Sequence, residues 1–312
     1  MSTLAYFPRA MPGELDVGHL ARAQLMCGYR QLSAFVLALG ASRSSKGSLC
    51  IANAWGPTIV ACVARAAGQT VDEYARNHTL LAHADAFEQA HVRPGHKDTF
   101  TLAVLATRHS FHRRELRYCP QCCADQKALW GMSYWLREHQ LPGMDWCLGH
   151  GRLLLEAPHG SFEPAPGERY PGRVVRAEVE GYRTDLVTSY LAATKQLLRN
   201  ARPLPMDPVV DAIQAEFRRA GLRHAINYHR AAGAILIRRA PPAWLDRLLK
   251  AAEISPHQLT LGMRRKRALS VVAPLLAALA FPRGDLEKLF DSAQYQNRAQ
   301  AITGSAPDML LR

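Results

Sequence analysis

Hydrophobic residues recur at spacings of three and four along the first hundred residues, the pattern of one buried face on a helix. The pattern predicts a helix over Val17–Cys27, with Asp16 as its N-cap and Gly28 after its end. A second helix is predicted over Gln31–Leu39. Thr70 followed by Glu73 matches a capping box and marks the start of a further helix. Short helices in close succession favour a helical domain of helix-turn-helix type.

The second half of the chain shows the same periodicity. It predicts six helices, over Asp185–Arg199, Asp207–Ala220, Pro242–Ala252, Pro256–Leu269, Val271–Leu279 and Asp285–Ala293. The two helices on either side of the Ile254-Ser255-Pro256 turn form a candidate helix-turn-helix at 243–267. The fold class predicted is therefore mainly α, with little β structure.

Proline and glycine divide the chain. Seven of them fall between Pro158 and Gly172, which is typical of a linker. We predict an N-terminal helical domain at 1–95, a small module with little β structure at 96–160 that contains a cluster of cysteines, and a basic helical domain at 173–312.

The composition is that of a globular protein, with 48% hydrophobic and 21% charged residues among 312. The longest apolar stretch, Leu269–Pro282, is too short for a membrane span and contains Pro274. The first residues carry neither a basic nor an apolar signal region. We therefore expect a cytoplasmic protein with no membrane partner.

The formal net charge of +13 is unevenly distributed. Residues 1–160 carry 16 basic and 12 acidic side chains, and residues 161–312 carry 23 and 14. A basic second half indicates a polyanionic partner, either nucleic acid or a complex that contains it. The densest basic run, Arg264, Arg265, Lys266 and Arg267, is the candidate contact, although a solvated helix face explains the same run.

Four residues in the middle of the chain have the spacing of a zinc site. Cys119 and Cys122 form C-x2-C, 24 residues follow, and Cys147 and His150 form C-x2-H. Two close pairs of soft ligands on separate loops suit tetrahedral zinc. Cys123 is read as a bystander because adjacent side chains diverge. His139 and His112 remain alternative ligands.

The zinc is predicted to be structural and the protein not to be an enzyme. Four protein ligands leave no open position for a water molecule. A nucleobase deaminase would need H-x-E, whereas the chain has His112-x-x-Glu115. The sequence also shows no Walker loop, nucleophile elbow or acidic triad.

Aromatic residues cluster between and beside the two ligand pairs. Tyr134, Trp135 and Trp146 flank the ligands, and Trp130 comes one turn earlier. We expect at least two of them to form the small core of the zinc module. The alternative is a hot spot for a partner protein.

The chain resembles the TniQ/TnsD family of transposon target-selection proteins in three segments. These are the opening from Tyr6 to Arg22, the block from Arg117 to Gly151 that contains both ligand pairs and the Tyr134-Trp135 pair, and the late segment Leu275–Phe290. The resemblance covers residues 1–160 well and the remainder loosely. Because no cysteine follows Cys147, it implies one zinc rather than the two of some members.

The resemblance implies a non-catalytic adaptor that links a target complex to an AAA+ transposition ATPase. The length is similar to that of adaptors in CRISPR-associated transposons, which sit on an RNA-guided Cascade complex. The N-terminal helices would then face protein, either the ATPase or a second copy of the chain. The alternative is a protein that reads target DNA directly and sequence-specifically through the helix-turn-helix.

Overall fold

The structure is a computed structural model that describes residues 6–40, 57–88, 116–157, 166, 173–174, 184–200, 202–221, 228–255, 259, 266–281, 285–286 and 289–290. The described chain is mainly helical, as predicted. It divides into two units. Unit 1 consists of residues 1–84 and 93–182, and unit 2 of residues 85–92 and 183–312. The three predicted domains stay a prediction, and the structure places parts of the first two in unit 1.

Five helices are described in the first part of unit 1. They are α1 (Asp16–Met26), α2 (Leu32–Ala38), α3 (Pro57–Ala66), α4 (Val71–His78) and α5 (Leu81–Ala84). The predicted capping box at α4 is present, because the Glu73 amide donates to the Thr70 hydroxyl and the Thr70 amide donates to the Glu73 carboxylate. The predicted cap of α1 is wrong: Leu15 is the N-cap and Asp16 is the first helical residue.

The residues described in the rest of unit 1 form short strands and a helix. The elements are β2 (Arg117–Tyr118), α6 (Pro120–Trp130), a 3-10 turn (Arg137–Gln140), β3 (Leu155–Glu156) and β4 (Arg173–Val174). The strands form an antiparallel sheet in the order β2-β3-β4. Tyr118 pairs with Leu155, and Leu155 pairs with Val174.

The helices and the short-stranded segment share one hydrophobic core. Trp135 is 1% exposed and belongs to the same buried cluster as Leu20, Phe35 and Tyr74. Gly18 of α1 makes room for it, because a Cβ there would lie 2.9 Å from Trp135 Cδ1. The Leu15 amide also donates to the Trp135 carbonyl at 2.7 Å. The module is therefore built onto α1 rather than around a separate core.

A buried ion pair fixes the chain before α1. Glu14 accepts two hydrogen bonds from Arg22, at 2.8 Å from Nε and 2.7 Å from the terminal nitrogen. Arg22 also donates to the Arg9 carbonyl, and the Met11 amide donates to Glu14. Bidentate geometry and extra hydrogen bonds compensate for the loss of solvation of both charges.

Unit 2 is a helical bundle around one buried helix. Its elements are β1 (Phe87–Glu88), α7 (Asp185–Arg199), β5 (Leu204–Pro205), α8 (Met206–Arg219), α9 (Tyr228–Arg239), α10 (Pro242–Ala252) and α11 (Lys266–Ala280). Strands β1 and β5 pair in parallel. Helix α11 contacts α7, α8, α9 and α10, and its residues from Leu269 to Ala278 are all buried, Pro274 among them.

The predicted boundary between a helix that ends at Leu269 and a helix that begins at Val271 is wrong. Residues 266 to 280 form one helix that includes Pro274. Proline removes one backbone hydrogen bond and disfavours a helix interior. Here burial on all sides of α11 compensates for that cost. The start of the other predicted helix, Pro256–Leu269, lies outside the described residues.

Candidate metal centre

The first ligand pair lies at the junction of β2 and α6. Cys119 is the N-cap of α6, and Pro120 occupies the first helical turn, where proline is favoured. Cys122 follows within that turn. The positive end of the helix dipole therefore faces the two sulfur atoms and favours their thiolate forms.

The second ligand pair lies in a tight loop. Trp146 and Leu153 form an antiparallel bridge, the Cys147 amide donates to the Arg152 carbonyl at 2.8 Å, and the Gly151 amide donates to the Cys147 carbonyl at 2.7 Å. The left-handed residue in this loop is Gly151, with φ 64°. This glycine lies directly after the C-x2-H pair, and the spacing of the ligands alone did not indicate its conformation.

These two segments bring the four predicted ligands together. The ligand atoms of Cys119, Cys122, Cys147 and His150 all lie within 4.8 Å of one another. His150 Nδ1 lies 3.6, 3.3 and 3.5 Å from the sulfur atoms of the three cysteines in that order. The sulfur atoms of Cys122 and Cys147 are 3.6 Å apart.

These distances match the edges of a zinc tetrahedron. With Zn–S near 2.3 Å and Zn–N near 2.05 Å, tetrahedral angles place two sulfurs about 3.8 Å apart and sulfur and nitrogen about 3.6 Å apart. The four side chains could therefore hold a metal ion with little rearrangement. The donor set of three sulfurs and one imidazole suits zinc better than a hard cation.

The electrostatics of the three thiols also favour a bound cation. Hydrogen bonding to Cys147 and burial raise the pKa of Cys122, and burial raises the pKa of Cys119. The hydrogen bond between Cys122 and Cys147 holds the pKa of Cys147 well below its usual range. One proton shared between these two sulfur atoms thus stabilises a single thiolate. A divalent cation supplies the charge that allows all three to ionise.

The alternative ligands occupy different positions. Cys123 is buried and packs in the hydrophobic core of unit 1. His139 is buried, and its Nε2 lies 3.9 Å from the Cys122 sulfur, beside the four-residue cluster. His112 lies outside the described residues.

The aromatic residues near the ligands divide into two groups. Tyr134, Trp135 and Trp146 are buried, whereas Trp130 at the end of α6 is 45% exposed. The Tyr134 hydroxyl donates to the Pro12 carbonyl at 3.2 Å, so it connects the module to the segment before α1.

A second buried ion pair lies beside the ligands. The Arg117 guanidinium donates to Asp145 at 3.2 Å, to the Leu141 carbonyl at 2.8 Å and to the Met144 carbonyl. Gln140 pairs with the Arg117 backbone through both of its amide atoms. Arg117 thereby fixes the loop that leads to Cys147. The sequence analysis placed it only at the start of the zinc block.

Sequence reasoning also missed Asp125. Its Oδ2 lies 3.0 Å from His150 Nε2, the ring nitrogen that faces away from the three sulfurs. The available signal was helical spacing, because Asp125 follows Cys122 by three residues and shares its helix face.

The predicted nucleic-acid contact is only partly covered by the structure. Arg264 and Arg265 lie outside the described residues, and Lys266 and Arg267 are the first two residues of α11. The helix-turn-helix at 243–267 therefore stays a prediction. Among the described residues of unit 2, exposed arginines end two helices: Arg218 and Arg219 in α8, and Arg238 and Arg239 in α9.

Within the part of the chain that the structure describes, no helix has both the length and the apolar character needed to cross a membrane.

Comparison with known proteins finds one family over the first half of the chain. Residues 5–154 match the TniQ family model, a range that contains the buried Glu14–Arg22 pair, α6 and all four ligands. No curated protein matches the chain. Residues 5–154 therefore carry a TniQ domain, which implies a protein that selects targets in DNA transposition.

Proposed function

On the premise of a TniQ domain, we propose that the chain is a non-catalytic adaptor that links an RNA-guided, Cascade-type target complex to an AAA+ transposition ATPase. The observation that carries this proposal is the family match over residues 5–154. The basic second half of the chain supports a partner that contains nucleic acid. The less charged N-terminal helices are then available for the ATPase or for a second copy of the chain.

The second part of the proposal is one structural zinc ion, held by Cys119, Cys122, Cys147 and His150. The sulfur–sulfur and sulfur–nitrogen distances support it, since they are close to the edges of a zinc tetrahedron. When bound, the zinc supplies positive charge to three thiolates and cross-links two segments of unit 1. The four ligand side chains themselves bring the start of α6 next to the loop from Cys147 to Gly151.

We also propose that the chain has no catalytic activity of its own. All four donors come from the protein, and a tetrahedral ion held by them has no position left for a substrate or a reactive water. Catalytic zinc sites keep one such position open. The arrangement therefore favours a site whose role is to hold the fold.

The test is a reconstitution with purified components. The chain is mixed with the Cascade-type complex and the ATPase, and each association is measured separately by sedimentation or light scattering. We expect the chain to bind both partners and to bridge them. Free duplex DNA should bind weakly, with affinity lost steeply as salt is raised.

A different result would favour direct target reading. Nanomolar, sequence-selective binding of the isolated chain to duplex DNA, without any guide complex, would replace the adaptor proposal. Scrambled duplexes of the same length and base composition are the matched control. If the chain fails to bind the ATPase both with the guide complex and with duplex DNA, the proposed recruitment of the ATPase is wrong.

A further inference from the structure

The contact between Asp125 and His150 defines which nitrogen of the imidazole carries a proton. His150 Nδ1 faces three sulfur atoms at 3.3 to 3.6 Å, and His150 Nε2 lies 3.0 Å from Asp125 Oδ2. A metal at Nδ1 requires the proton to be on Nε2. The Nε2–H group then donates to the Asp125 carboxylate.

The Asp125 carboxylate is itself held in place. Gln121, one helical turn earlier on α6, donates from Nε2 to Asp125 Oδ1 at 3.1 Å. Both carboxylate oxygens therefore have a partner, although 57% of the Asp125 side chain is exposed. An exposed carboxylate normally samples several rotamers, and these two contacts select one of them.

We propose that Asp125 is a positioning residue for the metal centre, which fixes the ring orientation and tautomer that present His150 Nδ1 to the ion, with Gln121 orienting the carboxylate. This inference rests on the proposed zinc site. A carboxylate on the far nitrogen of a metal-binding imidazole also increases the basicity of the ligand. Helix α6 thus supplies one ligand, Cys122, and the residue that orients another.

The experiment measures zinc affinity by competition with a chromophoric chelator, using the full chain loaded with zinc. We expect Asp125→Ala to weaken zinc binding about tenfold, the lower end of the usual effect, because the site is partly open to solvent. Gln121→Ala keeps the charge and loses only the orienting contact, so its effect should be smaller, about two- to threefold. Asp246→Asn is the matched control, because Asp246 is 59% exposed and pairs with Lys250 at 2.8 Å.

A second measurement separates positioning from a general loss of structure. Long-range proton–nitrogen correlation spectra of the histidine rings report the tautomer of His150 and the exchange of its Nε2 proton. In the zinc-loaded Asp125→Ala protein we expect this proton to exchange faster with water while the other histidine signals stay unchanged. The Asp246→Asn spectrum should match that of the natural sequence.

Three outcomes decide the inference. Equal zinc affinity and equal Nε2 proton exchange in the natural and Asp125→Ala proteins would overturn it, with the zinc site itself intact. An effect of Asp125→Ala with none in Gln121→Ala would remove Gln121 from the proposal and leave Asp125 acting through its charge. A natural protein that binds no zinc would instead overturn the proposed metal centre.

Discussion

The sulfur atom of Cys119 lies in a completely buried side chain, 3.6 Å from His150 Nδ1. Replacing it with a serine hydroxyl removes one of four soft ligands. Because metal-binding energy is folding energy at such a site, we expect Cys119→Ser to lose zinc and to unfold the zinc module. Elemental analysis should give one zinc per chain for the natural sequence and almost none for the variant, with circular dichroism recording the lost structure.

Cys27→Ser is the control for this change. Cys27 is half-buried and donates to the Tyr6 carbonyl at 3.3 Å, a contact that a serine hydroxyl can reproduce. That variant should keep its zinc and its stability. A Cys119→Ser protein that stayed folded and zinc-loaded would show that Cys123 takes over as ligand.

Asp16 predicts an unusual dependence of stability on pH. Complete burial raises its pKa to about 7 from an ordinary 3.8, and its Oδ2 has no hydrogen-bond partner. The native state therefore binds this proton more tightly than the unfolded state does. The cost of ionising Asp16 develops between pH 3.8 and 7 and is complete above pH 7.

The neutral variant Asp16→Asn avoids that cost. We expect it to be more stable than the natural protein at pH 8, by at most about 4 kcal/mol, from three pKa units at 1.36 kcal/mol each. The gain should shrink as pH falls and disappear below about pH 4. Urea denaturation of both proteins from pH 4 to 8 measures it. A stability difference that does not vary with pH would contradict the assignment.

Two histidines in the same unit act in the opposite direction. Burial lowers the pKa of His19 and of His78 to about 4 from an ordinary 6.5. Their contribution to stability is complete above pH 6.5 and is lost as pH falls toward 4. The Asp16→Asn protein should therefore lose stability on acidification more steeply than the natural protein over this range.

At the scale of single residues, the sequence predicted ligands better than buried charges. The spacing of Cys119, Cys122, Cys147 and His150 is a local property, and local backbone geometry brings each pair together. The burial of Asp16 and Arg117 depends on segments distant in the chain. Nothing in the neighbouring residues indicates that a charged side chain is enclosed.

Among the elements, α1 and the segment containing Trp135 depend most on each other. Trp135 contacts Gly18 closely and belongs to the core of unit 1. Removing its indole leaves a large cavity, so Trp135→Ala should destabilise unit 1 by about 3–5 kcal/mol. Urea unfolding monitored by circular dichroism measures the change.

Trp130→Ala is the matched control for this prediction. Trp130 is 45% exposed, and its removal should alter stability by no more than about 0.5 kcal/mol. If the folded Trp130→Ala protein no longer binds a partner protein, Trp130 is part of a recruitment surface. A stable Trp135→Ala protein would contradict the role of Trp135 in the core.

Helix α11 shows why some element boundaries could not be predicted. The sequence predicted one helix that ends at Leu269 and another that begins at Val271, but a single helix runs from Lys266 to Ala280. Its burial by four neighbouring helices is a tertiary effect that outweighs local propensity. The capping box at Thr70 was predicted because all of its contacts lie within four residues.

For the whole molecule, the distribution of charge is the sequence property that indicates a partner. Unit 2 contains the basic run at 264–267 and the exposed arginines that end α8 and α9. Long-range attraction to a polyanion depends on the sum of such charges, so a specific contact needs a test at constant net charge. The chain provides one, because unit 1 has exposed arginines at positions 30, 65 and 152.

The final prediction compares two charge-reversed proteins. Changing Arg264, Arg265 and Arg267 to Glu should weaken attachment to the nucleic-acid-bearing target complex and flatten its salt dependence, because three phosphate contacts are lost. Recruitment of the ATPase by a tethered protein should be largely unchanged.

The same reversal at Arg30, Arg65 and Arg152 lowers the formal net charge equally, from +13 to +7, and should leave target attachment closer to normal. Binding titrations at several salt concentrations measure both effects. Equal weakening by the two variants would indicate attraction by net charge alone, and normal docking of the first variant with lost ATPase recruitment would reverse the assignment of the two faces.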